Sequence, residues 1–276
     1  MKSWSFQRAA AEQIFHLVLI KPTHYDDSGY PLQWVRSIIP SNTLACLTGL
    51  ARDAQRRKVL GPDGYIRLHI YDETNRRVRP NAIVRRIRKA GGKALVALVG
   101  VQSNQFPRAI DLARPFVAAG LPVCVGGFHV SGCLAMLPQM PEEMRAAQAL
   151  GISFFAGEAE EGRLDDVLLD AWCGRLAPLY DHLGKLPSLF GQPLPILPRA
   201  YVRTCDSISS MDLGRAVPTN APSAQSSTCM DARVDSVQPM TSSRSFAKTT
   251  RKTYDASLLR MTILRVTTIG KHCSIG

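Results

Sequence analysis

The side chains best placed to do chemistry in this chain gather in short loops, each directly after an apolar run. They are Lys21-Pro-Thr23-His24-Tyr-Asp-Asp-Ser-Gly29, Gly100-Val-Gln-Ser103-Asn104, Gly126-Gly127-Phe-His129 and Gly157-Glu158-Ala-Glu-Glu161. Ser103 and Asn104 offer neutral donors and acceptors, which suit a large amide-bearing ligand better than a phosphate. Gly126-Gly127 removes two Cβ atoms, so a ligand or a neighbouring backbone can come close. His129 reads as a residue that orders its own turn, and Glu158 as a cap for a helix that starts nearby. Neither is placed for acid–base work. No G-x-G-x-x-G and no Walker lysine loop is present, so a dinucleotide or nucleoside triphosphate site has little support. The seven cysteines show no pair at metal spacing, Cys124 and Cys133 being the closest. That usage suits a reducing, cytoplasmic location and argues against a disulfide framework.

Those loops need strands to hold them. Phe15–Ile20, Ala94–Val99 and Leu121–Val125 are short continuous apolar runs, as expected of strands buried on both faces of a parallel sheet. Tyr65–Ile70 alternates, and Ile152–Phe155 completes a set of five. Between them run helical patterns: Thr43–Arg57 behind a Ser41-Asn42 cap, a helix capped by Asn81 and stopped by Gly91-Gly92, and one from Pro107 to Ala119 that contains Pro115. Two more are expected over Glu142–Leu150 and Glu161–Trp172. A β-α repeat of this kind implies an α/β fold with a doubly wound, mostly parallel five-stranded sheet, flavodoxin-like or Rossmann-like. Ligands of such sheets bind outside the carboxyl ends of the strands, where all four loops lie.

Composition bounds the partners. The 45% apolar content supports a sizeable core. The longest apolar runs are too short to span a bilayer, and Met1–Gln13 lacks the pattern of a secretory signal. The net charge is +12, of which residues 216–276 hold eight Lys/Arg against three Asp. The main clusters of the remainder, Arg56-Arg57-Lys58, Arg76-Arg77, Arg85-Arg86 and Arg88-Lys89, lie at helix ends and on an exposed helix face with no RNA-binding aromatic motif beside them. They read as solvated surface, so no nucleic acid, no membrane and no obligate protein partner is expected.

The strand–Gly126-Gly127-Phe-His129 turn, followed some way on by strand–Gly157-Glu158-Ala-Glu160, resembles the cobalamin (B12)-binding domain found ahead of radical SAM domains. Pro40-Ser-Asn-Thr-Leu44 also fits, and the resemblance covers roughly 14–215. It implies a corrin across the carboxyl edge of the sheet, with Thr23, His24, Ser103, Asn104, Gly126, Gly127, His129, Gly157 and Glu158 as candidate cobalamin-binding residues. No catalytic or metal residue is assigned. The D-x-H-x-x-G lower-ligand signature of methyltransferase-type domains is absent: Pro22 stands where it has Asp, and Gly29 comes two residues late. His24 is therefore read first as a solvent-exposed loop histidine and second as a cobalt ligand.

Met211-Asp-Leu-Gly-Arg215 then matches what precedes the R-G-C-x-x-x-C-x-x-C loop of that family, whose thiolates bind a [4Fe–4S] cluster and leave one iron for S-adenosylmethionine. Here Ala216-Val-Pro-Thr-Asn-Ala-Pro-Ser-Ala224 follows, with no thiolate. The genetic code explains the gap. Codons compatible with Ala216 to Ala224, read one base earlier, give G-C-P-Y-Q-C-S-F-C directly after Arg215. The same frame continues as T-I-I-N over Gln225–Thr228, forces Gly over Asp231 after the single Met codon, and runs on to Ile269. The sequence thus divides into an N-terminal extension (1–13), a cobalamin-binding-like α/β domain (14–174), a Pro-rich connector (175–215) to a radical SAM barrel that does not follow, and an out-of-frame segment (216–276) expected to be mostly disordered. As written, the chain is expected to bind cobalamin without being catalytically competent. The alternative is a stand-alone flavodoxin-like ligand-binding or regulatory module. A phosphoacceptor receiver domain fits poorly, because Ile20-Lys21-Pro22 and Gly100-Val101-Gln102 supply none of its acidic residues.

Overall fold

A computed structural model describes residues 13–34, 40–188 and 190–196. The segments assigned above to the cluster approach and the out-of-frame tail lie outside these residues, as does most of the N-terminal extension.

The strands are β1 (Gln13–Lys21), β2 (Gly64–Asp72), β3 (Lys93–Leu98), β4 (Val123–Gly126), β5 (Ile152–Ala156) and β6 (Leu179–Asp181). They form one sheet in the order β2-β1-β3-β4-β5-β6, and every pair is parallel. The α/β doubly wound expectation holds, with a sixth strand added. β6 is only three residues long, too short for a hydrophobic pattern to reveal, and it lies beyond residue 174 in the stretch read as connector.

The helices are α1 (Asn42–Arg56), α2 (Pro80–Ala90), α3 (Phe106–Ala118), α4 (Phe128–Met136), α5 (Glu142–Ala149) and α6 (Arg163–Cys173). Alternation along β1 explains the layers. Phe15, Leu17 and Leu19 pack with α1 and α6, whereas Val18 and Ile20 pack with the apolar stripes of α2, α3 and α5. Both faces of β1 are therefore dry, and Phe15, Leu17, Val18 and Ile20 are fully buried. α1 starts where expected: the Ser41 hydroxyl accepts from the Leu44 N–H at 3.3 Å, worth about 1 kcal/mol at such a position.

Two helix starts and one whole helix differ from the sequence reading. Asn81 does not cap α2; Arg79 holds the cap position without a side-chain bond, and Pro80 opens the helix. α6 begins two residues late, because Glu161 (φ 55°) and Gly162 (φ 82°) both take the left-handed conformation. α4 was missed because Phe128–Met136 is apolar almost all round and so shows no amphipathic stripe. Among the described residues no helix is long and apolar enough to cross a membrane.

Candidate functional site

The sheet order reverses between β1 and β3, which places the topological switch point of the carboxyl edge between the loops that follow these strands. The loop after β1 is the best tethered part of that edge. Thr23 is buried; its hydroxyl donates to the Leu32 carbonyl (2.6 Å) and its N–H to Glu73 (3.3 Å). His24 is half-buried, and its carbonyl accepts from the Leu32 N–H at 2.9 Å. Asp26 closes the tip by accepting from the Ser28 and Tyr30 N–H groups.

Beneath the loop lies a charged group that no sequence motif announced. Glu73 follows β2 directly and its side chain is wholly buried. Arg108, on the first turn of α3, donates to both of its oxygens, at 2.5 and 3.1 Å. The same guanidinium donates to the Tyr25 hydroxyl (3.3 Å), which donates in turn to Asp111 at 2.6 Å. Burial opposes the charge on Arg108, but the bonds to Glu73 and Tyr25 outweigh it and push its pKa above the ordinary value. Burial and the Asp111 bond likewise raise the Tyr25 phenol. The network clamps β2, the loop after β1 and α3 to one another.

The Gly-Gly turn is occupied by the chain itself. Gly127 has φ 142°, and a Cβ there would overlap the Val101 nitrogen and come 2.8 Å from the Gly100 carbonyl carbon. Val101 N–H donates to Gly126 O, and His129 N–H donates back to Val101 O (2.9 Å). A Cβ on Gly126 would meet Phe155 O at 3.3 Å, and one on Gly157 would meet the His182 backbone at 3.0 Å. Of the two occupants the glycines admit, neighbouring backbone is the one present. The Gly157 N–H is held by the Ser131 hydroxyl at 3.0 Å, which joins the loop after β5 to α4.

His129 points into the protein. Its ring lies 4.2 Å (centroids) from Phe106, and its Nε2 is 3.3 Å from the Glu143 carboxylate. Burial lowers its pKa, and Glu143 only partly offsets that. The Cys133 sulfur lies 3.8 and 3.9 Å from the two ring nitrogens. Burial first, then Glu143, raises the Cys133 thiol, and burial pushes Cys124 up to about 12. A cysteine nucleophile needs the opposite shift, so these thiols are not activated in this arrangement.

Ser103 and Asn104 form a short 3-10 turn with Gln105 and are exposed at the edge, as the sequence suggested. Gln102 and Gln105 bond reciprocally across that turn and hold its shape. Phe128 stands beside it, 57% exposed. Glu158 does not open α6, which starts at Arg163; its carbonyl accepts from Arg163 at 3.2 Å.

The Gly157–Glu161 loop also holds the chain that leaves the sheet. Glu161 accepts from the Ser188 N–H (2.7 Å) and its own N–H donates to Gln192 (3.3 Å), while Arg163 donates to Lys185 O. Further on, the Ile196 N–H donates to Ala45 O at 2.9 Å, and the Leu194 backbone fills the space beside Gly49, whose Cβ would fall 3.1 Å from the Leu194 carbonyl carbon. Leu194 and Ile196 thus lie against α1, at Gly49 and Ala45.

The structure therefore joins Gly126, Gly127 and His129 through the Val101 backbone, ties Gly157 to α4 through the Ser131 hydroxyl, and sets Ser103 and Asn104 on the turn after β3 and Thr23 and His24 on the separately clamped loop after β1. Among the described residues no cluster of three His, Cys, Asp or Glu side chains could hold a metal ion. No protein-family model, curated protein or solved structure matches the chain.

Proposed function

We propose that the α/β unit is the cobalamin-binding portion of a radical SAM enzyme whose reading frame is lost at Arg215-Ala216. The observation that carries this reading is the constant-frame recovery of R-G-C-P-Y-Q-C-S-F-C after Met211-Asp-Leu-Gly-Arg215. Spacing of the three cysteines in that string is what a [4Fe–4S] cluster bound to S-adenosylmethionine requires. The 2-1-3-4-5 strand order and a ligand edge facing the turns after β1, β3, β4 and β5 are compatible with it.

The residues present fit a corrin in part. Exposed Ser103 and Asn104 can bond its amide arms, Phe128 offers an apolar face, and half-buried His24 is the candidate nearest to solvent for an axial nitrogen. Gly126, Gly127 and Gly157 would shape the edge from below without touching the ring, since their space is taken. Thr23 and His129 would act through their loops, their side chains being committed elsewhere. Without the barrel that covers the corrin in the family, buried contact area and affinity are both reduced. Because the chain as written has no cluster loop, it would bind without catalysing.

Incubation of the full chain with hydroxocobalamin, desalting and a visible spectrum test this. Retained corrin absorbance is expected, weakened by Asn104→Ala; no retention, with no heat of binding by calorimetry, refutes it. A stand-alone flavodoxin-like binding module is the second reading. The filled glycine turns favour it, since they serve packing that any such sheet needs.

A further inference from the structure

Among the described residues, the cations around α2 have no ion-pair partner. Arg76, Arg77, Arg79, Arg85, Arg86, Arg88 and Lys89 are all exposed, and no acidic residue occurs from Thr74 to Ile110. Arg86 reaches the Tyr71 hydroxyl and Arg88 the Ala119 carbonyl, but among the described residues none of the seven forms an ion pair. On the opposite face of the sheet the outcome differs: Arg56 and Arg57 pair with Asp53, and Arg57 also with Asp165. Exposed Arg67 on the edge strand β2 extends the positive surface.

This arrangement opposes local stability. Cations suit the C-terminal turn of a helix, where Arg88 and Lys89 lie, but are unfavourable at the N-terminus. Arg76, Arg77 and Arg79 crowd that N-terminus, its first turn has no acid, and Arg79 supplies no cap. A sequence that breaks a local rule without a compensating contact marks a functional surface.

The chemistry of the surface narrows its partner. Six of these seven cations are arginines, whose planar fork bonds phosphate bidentately. Along α2, Arg85 lies about one turn, ~5.4 Å, from Arg88 and Lys89, close to the spacing of successive phosphates on one strand. Along α2 itself no large apolar side chain is exposed, so the helix face has nothing to insert into a lipid layer or to stack on unpaired bases; the exposed rings of Trp34, bonded at Thr74, and of Tyr65, on β2, lie off that face. We propose that the α2 face docks the phosphate backbone of a double-stranded nucleic acid, without reading its sequence. This replaces the reading of these clusters as merely solvated, and it does not depend on cobalamin binding.

Fluorescence anisotropy of the full chain with a labelled RNA duplex, titrated across a salt series, tests the proposal. With four to five phosphates neutralised, the slope of log K against log salt should be about −4. The triple variant Arg85→Gln, Arg88→Gln, Lys89→Gln, checked for an unchanged circular-dichroism melt, should lose about three units of that slope and bind more than about a hundredfold more weakly at roughly 0.1 M salt. Arg52→Gln, Arg56→Gln, Lys58→Gln removes the same charge from the C-terminal end of α1 and the turn after it, and should leave binding unchanged. If both triples weaken binding alike, net charge alone is responsible and the assignment to α2 falls. Absence of duplex binding, or equal binding to polyglutamate or to phosphatidylserine vesicles, overturns the proposal as well. Should the first triple lower the melt, Arg85→Lys, Arg88→Lys keeps the charge and the fold; unaltered affinity there contradicts the bidentate role.

Discussion

Replacing Glu73 by Gln keeps the shape of the side chain and removes its charge. The wholly buried carboxylate receives two bonds from Arg108 and one from the Thr23 N–H. At an effective dielectric near 20, two charges about 4 Å apart attract by about 4 kcal/mol, and a buried charge left without its partner typically costs about 3–5 kcal/mol. Arg108 is 16% exposed and keeps its bond to Tyr25, so relief by solvent brings the expected cost of Glu73→Gln to about 2–4 kcal/mol. Adding Arg108→Met to that variant removes the stranded cation, so the double variant should be more stable than Glu73→Gln alone. Urea unfolding followed by far-UV circular dichroism measures both. A single-variant loss under about 0.5 kcal/mol, or a double variant less stable than the single, would refute the clamp. The clamp also predicts where the damage appears: amide exchange should accelerate at Thr23 and Leu32 before the core strands respond.

Gly127→Ala forces a Cβ against the Val101 nitrogen at a φ of 142° and should destabilise by more than about 2 kcal/mol in the same urea assay. Gly49→Val displaces the Leu194 backbone, so the Ile196 amide should lose exchange protection while the β1 amides keep theirs. Stability should also fall in mild acid. His16 Nε2 bonds Gly91 O (3.0 Å) and its Nδ1 bonds His69 Nε2 (2.9 Å), an arrangement that two neutral rings satisfy. Burial lowers both pKa values, that of His69 to about 4, with His16, Arg86 and Arg67 adding to the shift. An unfolded histidine titrates near about 6.5, so this stability is complete above that pH and is lost as pH falls from there through about 4. After allowance for the half-exposed His69 the loss is roughly 1–2 kcal/mol, and His69→Gln should flatten the urea midpoint over that range.

Much of the fold was legible because buried parallel strands advertise themselves: Phe15–Ile20 and Ala94–Val99 are apolar on both faces, and α1 and α2 carry clear stripes. Elements that lack a period escaped. α4 has too few polar residues to show a buried face, and β6 is a three-residue strand set by its neighbour β5. The four edge loops were correctly placed, but their roles were not fully readable. A glycine pair says only that something comes close, and here Val101 is what comes close. Glu73 and Arg108 are separated by 35 positions and belong to no motif, so only the fold brings them together. The charge on α2 was visible in the sequence; its lack of partners needed the structure.

The claim that the α/β unit preceded a cluster loop is tested most directly at the nucleotide level. Sequencing across the codons for Arg215-Ala216 and onward should show that one inserted base opens a frame reading R-G-C-P-Y-Q-C-S-F-C and continuing past the codon for Ile269. Codons that give a stop, or that place any residue but cysteine at those three positions, would contradict the account.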